Sequence, residues 1–268
     1  MNFQFLRLGI TVPVFAIIGG CLSLGSGFSP AHPRLNQDTY QLIEGNHRSV
    51  RGCTFDYRVF EPLQPLSPAT VMLGHGFLRN QDRLVALSRA LANAGIRAVT
   101  LNFCNMRPWN GYHEVNARDM RQLAEALDRS EDIIFGGFSA GALAAVLAAD
   151  AGTRALFVLD FVDQADRGKQ ALATLDIPII GLHGPSSACN AQNQGKQAIS
   201  QYLLDHGSDT DNYQLVADAS HCEFESPSNW LCEITCADDD SVQQNQQTRE
   251  QIIEQSIQIL KTHLVPPS

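Results

Sequence analysis

Asp132-Ile133-Ile134-Phe135-Gly136-Gly137-Phe138-Ser139-Ala140-Gly141-Ala142-Leu143-Ala144-Ala145-Val146-Leu147-Ala148-Ala149 is the stretch whose reading decides the fold. Residues 132–136 read as a buried strand and residues 142–149 as a helix. Between them Gly137 to Gly141 spells G-x-S-x-G. A serine on a tight strand-to-helix turn holds its hydroxyl up from the edge of a sheet. The flanking glycines let neighbouring backbone pass without a Cβ clash. The turn also aims the helix N-terminus at charge forming near the hydroxyl. The pentapeptide occurs by chance, and a glycine-rich turn with a helix-capping serine is the plain alternative. The strand before it and the helix after it favour a chemical role, because that context is the test of the motif.

Working outward, strand and helix signals alternate from about residue 54. Residues 55–60 alternate with period two, and Pro62, Pro65 and Pro68 mark a loop. Residues 70–74 form a continuous apolar run, as a strand covered on both faces requires. Leu84, Leu87, Leu91 and Ala94 recur at helical spacing, with Gly95 as a stop. Residues 96–103 read as the next strand, and Met120, Leu123, Ala124 and Leu127 line one side of the next helix. Beyond the serine, strands are expected at 154–160, 177–182 and 212–216. Pro178 is tolerable only at a strand beginning or edge. Helices are expected at 192–206 and at the C-terminus, where Ile253, Ile257, Leu260 and Leu264 share a face. This alternation predicts an α/β fold: one domain from residue 50 to 268, with a mostly parallel central sheet and helices on both faces. There is no internal repeat.

The 268 residues are 44% hydrophobic and 18% charged, enough for one sizeable core. The net charge of −9 and the lack of any Lys/Arg-rich run argue against nucleic acid as a partner. Asp238-Asp239-Asp240 reads as a solvated loop, since three adjacent side chains cannot all face one ion. No G-x-G-x-x-G or P-loop occurs, so no organic cofactor is implied.

The N-terminus has the pattern of an export signal: a cationic start at Met1 to Arg7, then an apolar stretch over residues 8–20, interrupted by Pro13 and too short to span a membrane. Ile18-Gly19-Gly20-Cys21 resembles a bacterial lipobox, which implies cleavage before Cys21 and lipid attachment to it. An ordinary signal peptide with an incidental cysteine is the alternative. Ser23 to Pro33, rich in Ser, Gly and Pro, would be the tether, within an N-terminal segment of residues 21–49, and the protein would be exported: periplasmic, lipid-anchored or secreted. Setting Cys21 aside leaves Cys53, Cys104, Cys189, Cys222, Cys232 and Cys236. An even number in an exported chain suggests three disulfides, of pairing undetermined by sequence. None forms C-x-x-C, which disfavours zinc.

A serine hydroxyl needs a base within hydrogen-bond reach, and a carboxylate to orient that base. His221 is the best candidate: it follows the last expected strand, on a loop at the carboxyl end of the sheet, the side on which Ser139 lies. His183, His206 and His263 read as structural or solvated. For the acid, Asp160 ends a buried apolar strand, with Asp163 three residues on as the alternative. The loop Gly184-Pro185-Ser186-Ser187-Ala188, after the following strand, holds no carboxylate. Either aspartate could instead cap a helix. An oxyanion needs two N–H donors. Ala140 supplies one, and Phe77, in Gly74-His75-Gly76-Phe77, supplies the other. His75 itself reads as structural. Residues 105–112 hold Trp109 and Tyr112, which either wall the substrate or pack on the body.

Taken together these motifs resemble the α/β-hydrolase superfamily over nearly all of residues 50–265. His75-Gly76-Phe77, Gly137 to Gly141, Leu159-Asp160-Phe161-Val162-Asp163 and Ala219-Ser220-His221 are similar, more narrowly, to the branch of chlorophyllases and platelet-activating-factor acetylhydrolase-like esterases. In that branch the acid follows the strand after the serine's helix, which points to Asp160. Phe138 and Ala140-Gly141 depart from the chlorophyllase pattern around the serine, so the chlorophyll substrate is not carried over. The resemblance implies a serine carboxylic-ester hydrolase acting on small or lipid-like esters. An acyltransferase with the same acyl-enzyme, or a non-catalytic surface lipoprotein, are the alternatives. The only membrane contact expected is the N-terminal lipid.

Overall fold

A computed structural model describes residues 39–49, 51–104, 112–228, 230–236 and 242–264. The signal segment with Cys21, Trp109, and Asp238 to Asp240 lie outside the described residues.

The apolar runs become an eight-stranded sheet of order β1-β2-β4-β3-β5-β6-β7-β8. The strands are β1 (Tyr40–Arg48), β2 (Thr54–Pro62), β3 (Thr70–Gly74), β4 (Arg97–Leu101), β5 (Ile133–Phe138), β6 (Ala155–Leu159), β7 (Ile179–His183) and β8 (Tyr213–Leu215). β3 to β8 are parallel, whereas β1–β2 and β2–β4 pair antiparallel. The helices are α1 (Val85–Asn93), α2 (His113–Ala126), α3 (Ala140–Ala148), α4 (Arg167–Leu172), α5 (Gln194–Asp205), α6 (Trp230–Cys236) and α7 (Val242–Leu264).

Period-two alternation sorts the side chains into two cores. On β3, Met72 points to one face, with Met120 and Leu123 of α2, Leu143 of α3 and Ile199 of α5. Val71 and Leu73 point to the other, with Leu87 and Leu91 of α1 and Leu260 of α7. Each such fully buried side chain contributes about 1.5–3 kcal/mol of transfer free energy. Covering both faces is what makes the central strands read as unbroken apolar runs.

Several local expectations meet their physical reasons. Gly95 stops α1 at φ 83°, in the left-handed region. Pro178 sits just before β7, where its carbonyl accepts the Leu156 N–H at 2.8 Å. A strand not expected from the sequence opens the sheet at Tyr40, in the N-terminal segment ahead of residue 50. β1 pairs along its whole length with β2, but only Tyr40 of it is buried at the strand level and Leu42 and Ile43 are exposed. An edge strand without an apolar face leaves no periodic signal. α4 and α6 were likewise not expected; each is too short for a helical repeat to register.

Three disulfides close: Cys53–Cys104, Cys189–Cys236 and Cys222–Cys232, with Cα separations of 6.3, 5.8 and 5.7 Å.

Candidate active site

The site forms at the carboxyl edge of the parallel strands, where β3, β5, β6 and β8 release their loops. Ser139 follows β5 with φ 57° and ψ −120°, a conformation that costs an L-residue about 1–3 kcal/mol. Packing enforces it. A Cβ on Gly141 would overlap the Gly74 carbonyl at the end of β3, and one on Gly137 would lie 2.6 Å from the Gly141 carbonyl carbon. The Ser139 N–H donates to Leu159 at 3.0 Å, tying the turn to β6, while its carbonyl starts α3 by accepting from Ala142 and Leu143.

Asp160 follows β6 and is 1% exposed. Its Oδ1 accepts the Gly184 N–H at 3.0 Å and the Asn190 side-chain amide at 3.3 Å; its Oδ2 lies 2.5 Å from His221 Nδ1. His221 Nε2 lies 3.1 Å from Ser139 Oγ. Because an ionised carboxylate only accepts, Asp160 keeps the proton of a neutral His221 on Nδ1 and leaves Nε2 free to accept from the serine. Asp163 is used differently. Its oxygens accept the Gly168 and Lys169 amides at 2.8 and 3.0 Å, capping the start of α4. Of the two aspartates, the structure joins Asp160 to the histidine.

His221 stands on a short 3-10 turn (His221–Phe224) rather than on open loop. Ser220 and Glu223 form a capping box there. The imidazole rests on Phe138, the residue before Ser139, with ring centroids 4.6 Å apart. Cys222 ties the turn to α6 through Cys232, and Arg249 of α7 reaches both Glu233 (3.2 Å) and Glu223 (3.6 Å). On the other side Glu225, fully buried, pairs with Arg79 at 2.8 Å. Burial pushes the Glu225 carboxyl above the usual range, against the opposing pull of Arg79.

Phe77 and Ala140 supply amides with no hydrogen-bond partner among the described residues. The peptide before Phe77 is held from behind. The Gly76 carbonyl accepts His75 Nδ1–H at 2.8 Å and the Arg79 N–H at 3.2 Å. His75 Nε2 in turn accepts the Phe103 N–H at 3.0 Å, so both its nitrogens are committed and its role is structural. Tyr112 opens α2, its ring 4.6 Å from the Arg51 guanidinium, against the β1–β2 connection.

Sequence reasoning missed Asn190, Tyr213, Arg79 and Glu225. Tyr213 accepts the Phe161 N–H at 3.1 Å, directly beside Asp160. Burial, then the Asp160 charge, raises its phenol well above the ordinary value, so it stays neutral. These residues carry no motif; only the absence of a carboxylate at 184–188 hinted that this loop supports an acid placed elsewhere. Among the described residues, Cys222, Cys232 and Cys236 bring their sulfurs within 4.8 Å, but disulfides consume all three.

The buried histidines make a testable demand. Burial lowers His75 to about 4 and also lowers His113 and His183. A group neutral in the fold but protonated at about 6.5 when unfolded adds stability above that pH, lost as pH falls toward 4. For His75 the loss approaches about 3 kcal/mol. Melting temperature should therefore drop between pH 6.5 and 4.5, with a shallower slope in His75→Gln. Equal slopes would count against this.

The elbow, the strand order and the helices on both faces place the chain. Its fold is the α/β-hydrolase fold. The match to solved structures runs along most of the chain: the esterase LipW from Mycobacterium marinum (15% identity, 85% of this chain and 83% of that chain, TM-score 0.56) and a hyperthermophilic esterase from Pyrobaculum calidifontis (15%, 86% and 88%, 0.56). A thermostable esterase from Pseudomonas putida aligns similarly (14%, 87% and 85%, 0.56). At such identities the α/β-hydrolase likeness is one of fold. No family model and no curated protein sequence matches the chain.

Proposed function

We propose that this chain is a serine carboxylic-ester hydrolase working through an acyl-enzyme. The observation that carries the reading is the pair of contacts that runs Asp160–His221–Ser139, at 2.5 and 3.1 Å. In that reading Ser139 Oγ attacks the ester carbonyl as His221 Nε2 takes its proton, and Asp160 stabilises the imidazolium. The oxyanion is held by the Phe77 and Ala140 amides, the latter at the start of α3, where the helix dipole adds to the field. His221 then protonates the leaving alcohol, deprotonates an incoming water and returns the proton to Ser139.

Ester rather than another acyl substrate is supported by the esterases that share the fold. Phe77 and Leu78, both exposed beside the proposed oxyanion donor, offer apolar contact to a hydrophobic acyl or alcohol group. An acid directly after β6 supports the narrower likeness to chlorophyllases and platelet-activating-factor acetylhydrolase-like esterases. Three disulfides suit an oxidising compartment, which supports export.

A fluorophosphonate probe applied to cells making the protein tests both points. Peptide mapping is expected to find the label on Ser139, in the envelope or secreted fraction. An unlabelled Ser139 would overturn the enzyme, and label confined to the cytosol would overturn export.

A further inference from the structure

Two loops far apart in the chain must hold a fixed distance if the hydrolase reading is correct. One, residues 74–80, carries the oxyanion donor of Phe77. The other, residues 220–228, carries His221. Arg79, on the first loop, reaches the second. Its Nε donates to both oxygens of Glu225, at 2.8 and 3.1 Å, and its Nη1 donates to the Phe77 carbonyl at 3.4 Å. Its own backbone N–H clamps the Gly76 carbonyl at 3.2 Å. The carbonyl and N–H of a peptide point in opposite directions. Holding the carbonyls on both sides of Phe77 therefore fixes where the Phe77 N–H is aimed.

Glu225 is as constrained as its partner. It directly follows the 3-10 turn of His221, its side chain is 0% exposed, and its N–H donates to Cys222 at 3.2 Å. The seam continues beyond it: Ser226 N–H donates to Arg83 at 2.8 Å, Ala86 N–H donates to Ser226 at 3.2 Å, and Arg83 Nη1 donates to Ser228 at 2.8 Å. Backbone bonds already tie residues 220–228 to Arg83 and Ala86, just beyond residues 74–80, so the segments stay attached without the buried ion pair. A buried charge pair is a weak source of stability, because desolvation offsets its attraction. It is a stronger source of geometry, because one rigid planar guanidinium holds Glu225 through Nε and the Phe77 carbonyl through Nη1.

We infer that Arg79 and Glu225 are positioning residues that set the Phe77 amide against His221, so that attack and oxyanion capture fall on one carbonyl. The inference rests on the proposed hydrolase reading and goes beyond it to two residues outside the triad.

The test compares parent, Arg79→Lys, Glu225→Gln and the double variant in hydrolysis of p-nitrophenyl butyrate. The second readout is inhibition by butylboronic acid, which mimics the tetrahedral state on Ser139. Lysine keeps the charge but lacks the planar pair of nitrogens that holds Glu225 and the Phe77 carbonyl at once. Each single variant should lose about 10- to 100-fold in kcat, with KM within about threefold of the parent. Boronate affinity should fall in step with kcat/KM, and the double variant should fall no further than the worse single one. A merely structural pair would lower melting temperature and leave kcat and boronate affinity of the folded fraction intact. That result overturns the inference, as does failure of both conservative variants to fold, which would assign the pair to the core. Absence of Ser139-dependent turnover in the parent overturns the hydrolase reading itself, a result distinct from normal turnover in folded variants.

Discussion

Ser139→Ala should lower kcat for short p-nitrophenyl esters by about 10⁵-fold or more and leave the fold in place. The chemistry behind the size of the effect is simple. Without Oγ no acyl-enzyme can form, and what remains is water acting near His221 with the Phe77 and Ala140 amides to help. Stability should scarcely change. The strain at Ser139 lies in its backbone, at φ 57°, and alanine inherits it unchanged. Its hydroxyl contacts His221 and starts no cap on α3. The melting temperature should therefore stay within a few degrees of the parent, so that lost turnover cannot be laid to unfolding. Full turnover in a folded Ser139→Ala protein would end the proposal.

The second large effect separates two aspartates close together in the chain. Asp160→Asn should lower kcat about 10⁴-fold, whereas Asp163→Asn should leave kcat within about twofold. The difference follows from what each carboxylate accepts. Oδ1 of Asp160 receives the Gly184 N–H and the Asn190 amide, so in Asp160→Asn the remaining oxygen is held at that position. The new NH₂ then falls opposite His221 Nδ1 and donates to it. That forces the imidazole proton onto Nε2, where it faces the Ser139 hydroxyl as a second donor. The base is present, correctly placed and in the wrong tautomer. Asp163→Asn instead weakens a cap on α4, which costs about 1 kcal/mol of stability and no chemistry. Steady-state kinetics with thermal melts on both variants read the two outcomes. Equal kcat losses, or a loss only in Asp163→Asn, would reverse the assignment.

Legibility varied from residue to residue. β3, β5 and β6 were legible because burial on both faces leaves no choice but continuous apolar residues. Ser139 was legible because its turn requires glycine at 137 and 141. β1 was not, since its two-stranded edge pairing asks little of its side chains. The sequence favoured Asp160 but left Asp163 open, each being a polar residue after an apolar strand; the direction of their side chains is set by φ 39° at Asp160 and by the amides of α4. Asn190, Arg79 and Glu225 were silent, because a single polar residue in a loop has no periodic context.

By itself, then, the order of residues determined the alternation of elements, the parallel sheet and the serine on its turn, all consequences of spacing within a window of one strand and one helix. Tertiary structure alone decided which aspartate meets His221, which cysteines pair, and that a buried Arg79–Glu225 contact joins the two loops of the site. Ser139 and His221 are 82 residues apart, and Asp160 and His221 are 61. Contacts at such separations are fixed by how the whole sheet and its helices pack, and no local pattern of side chains encodes them.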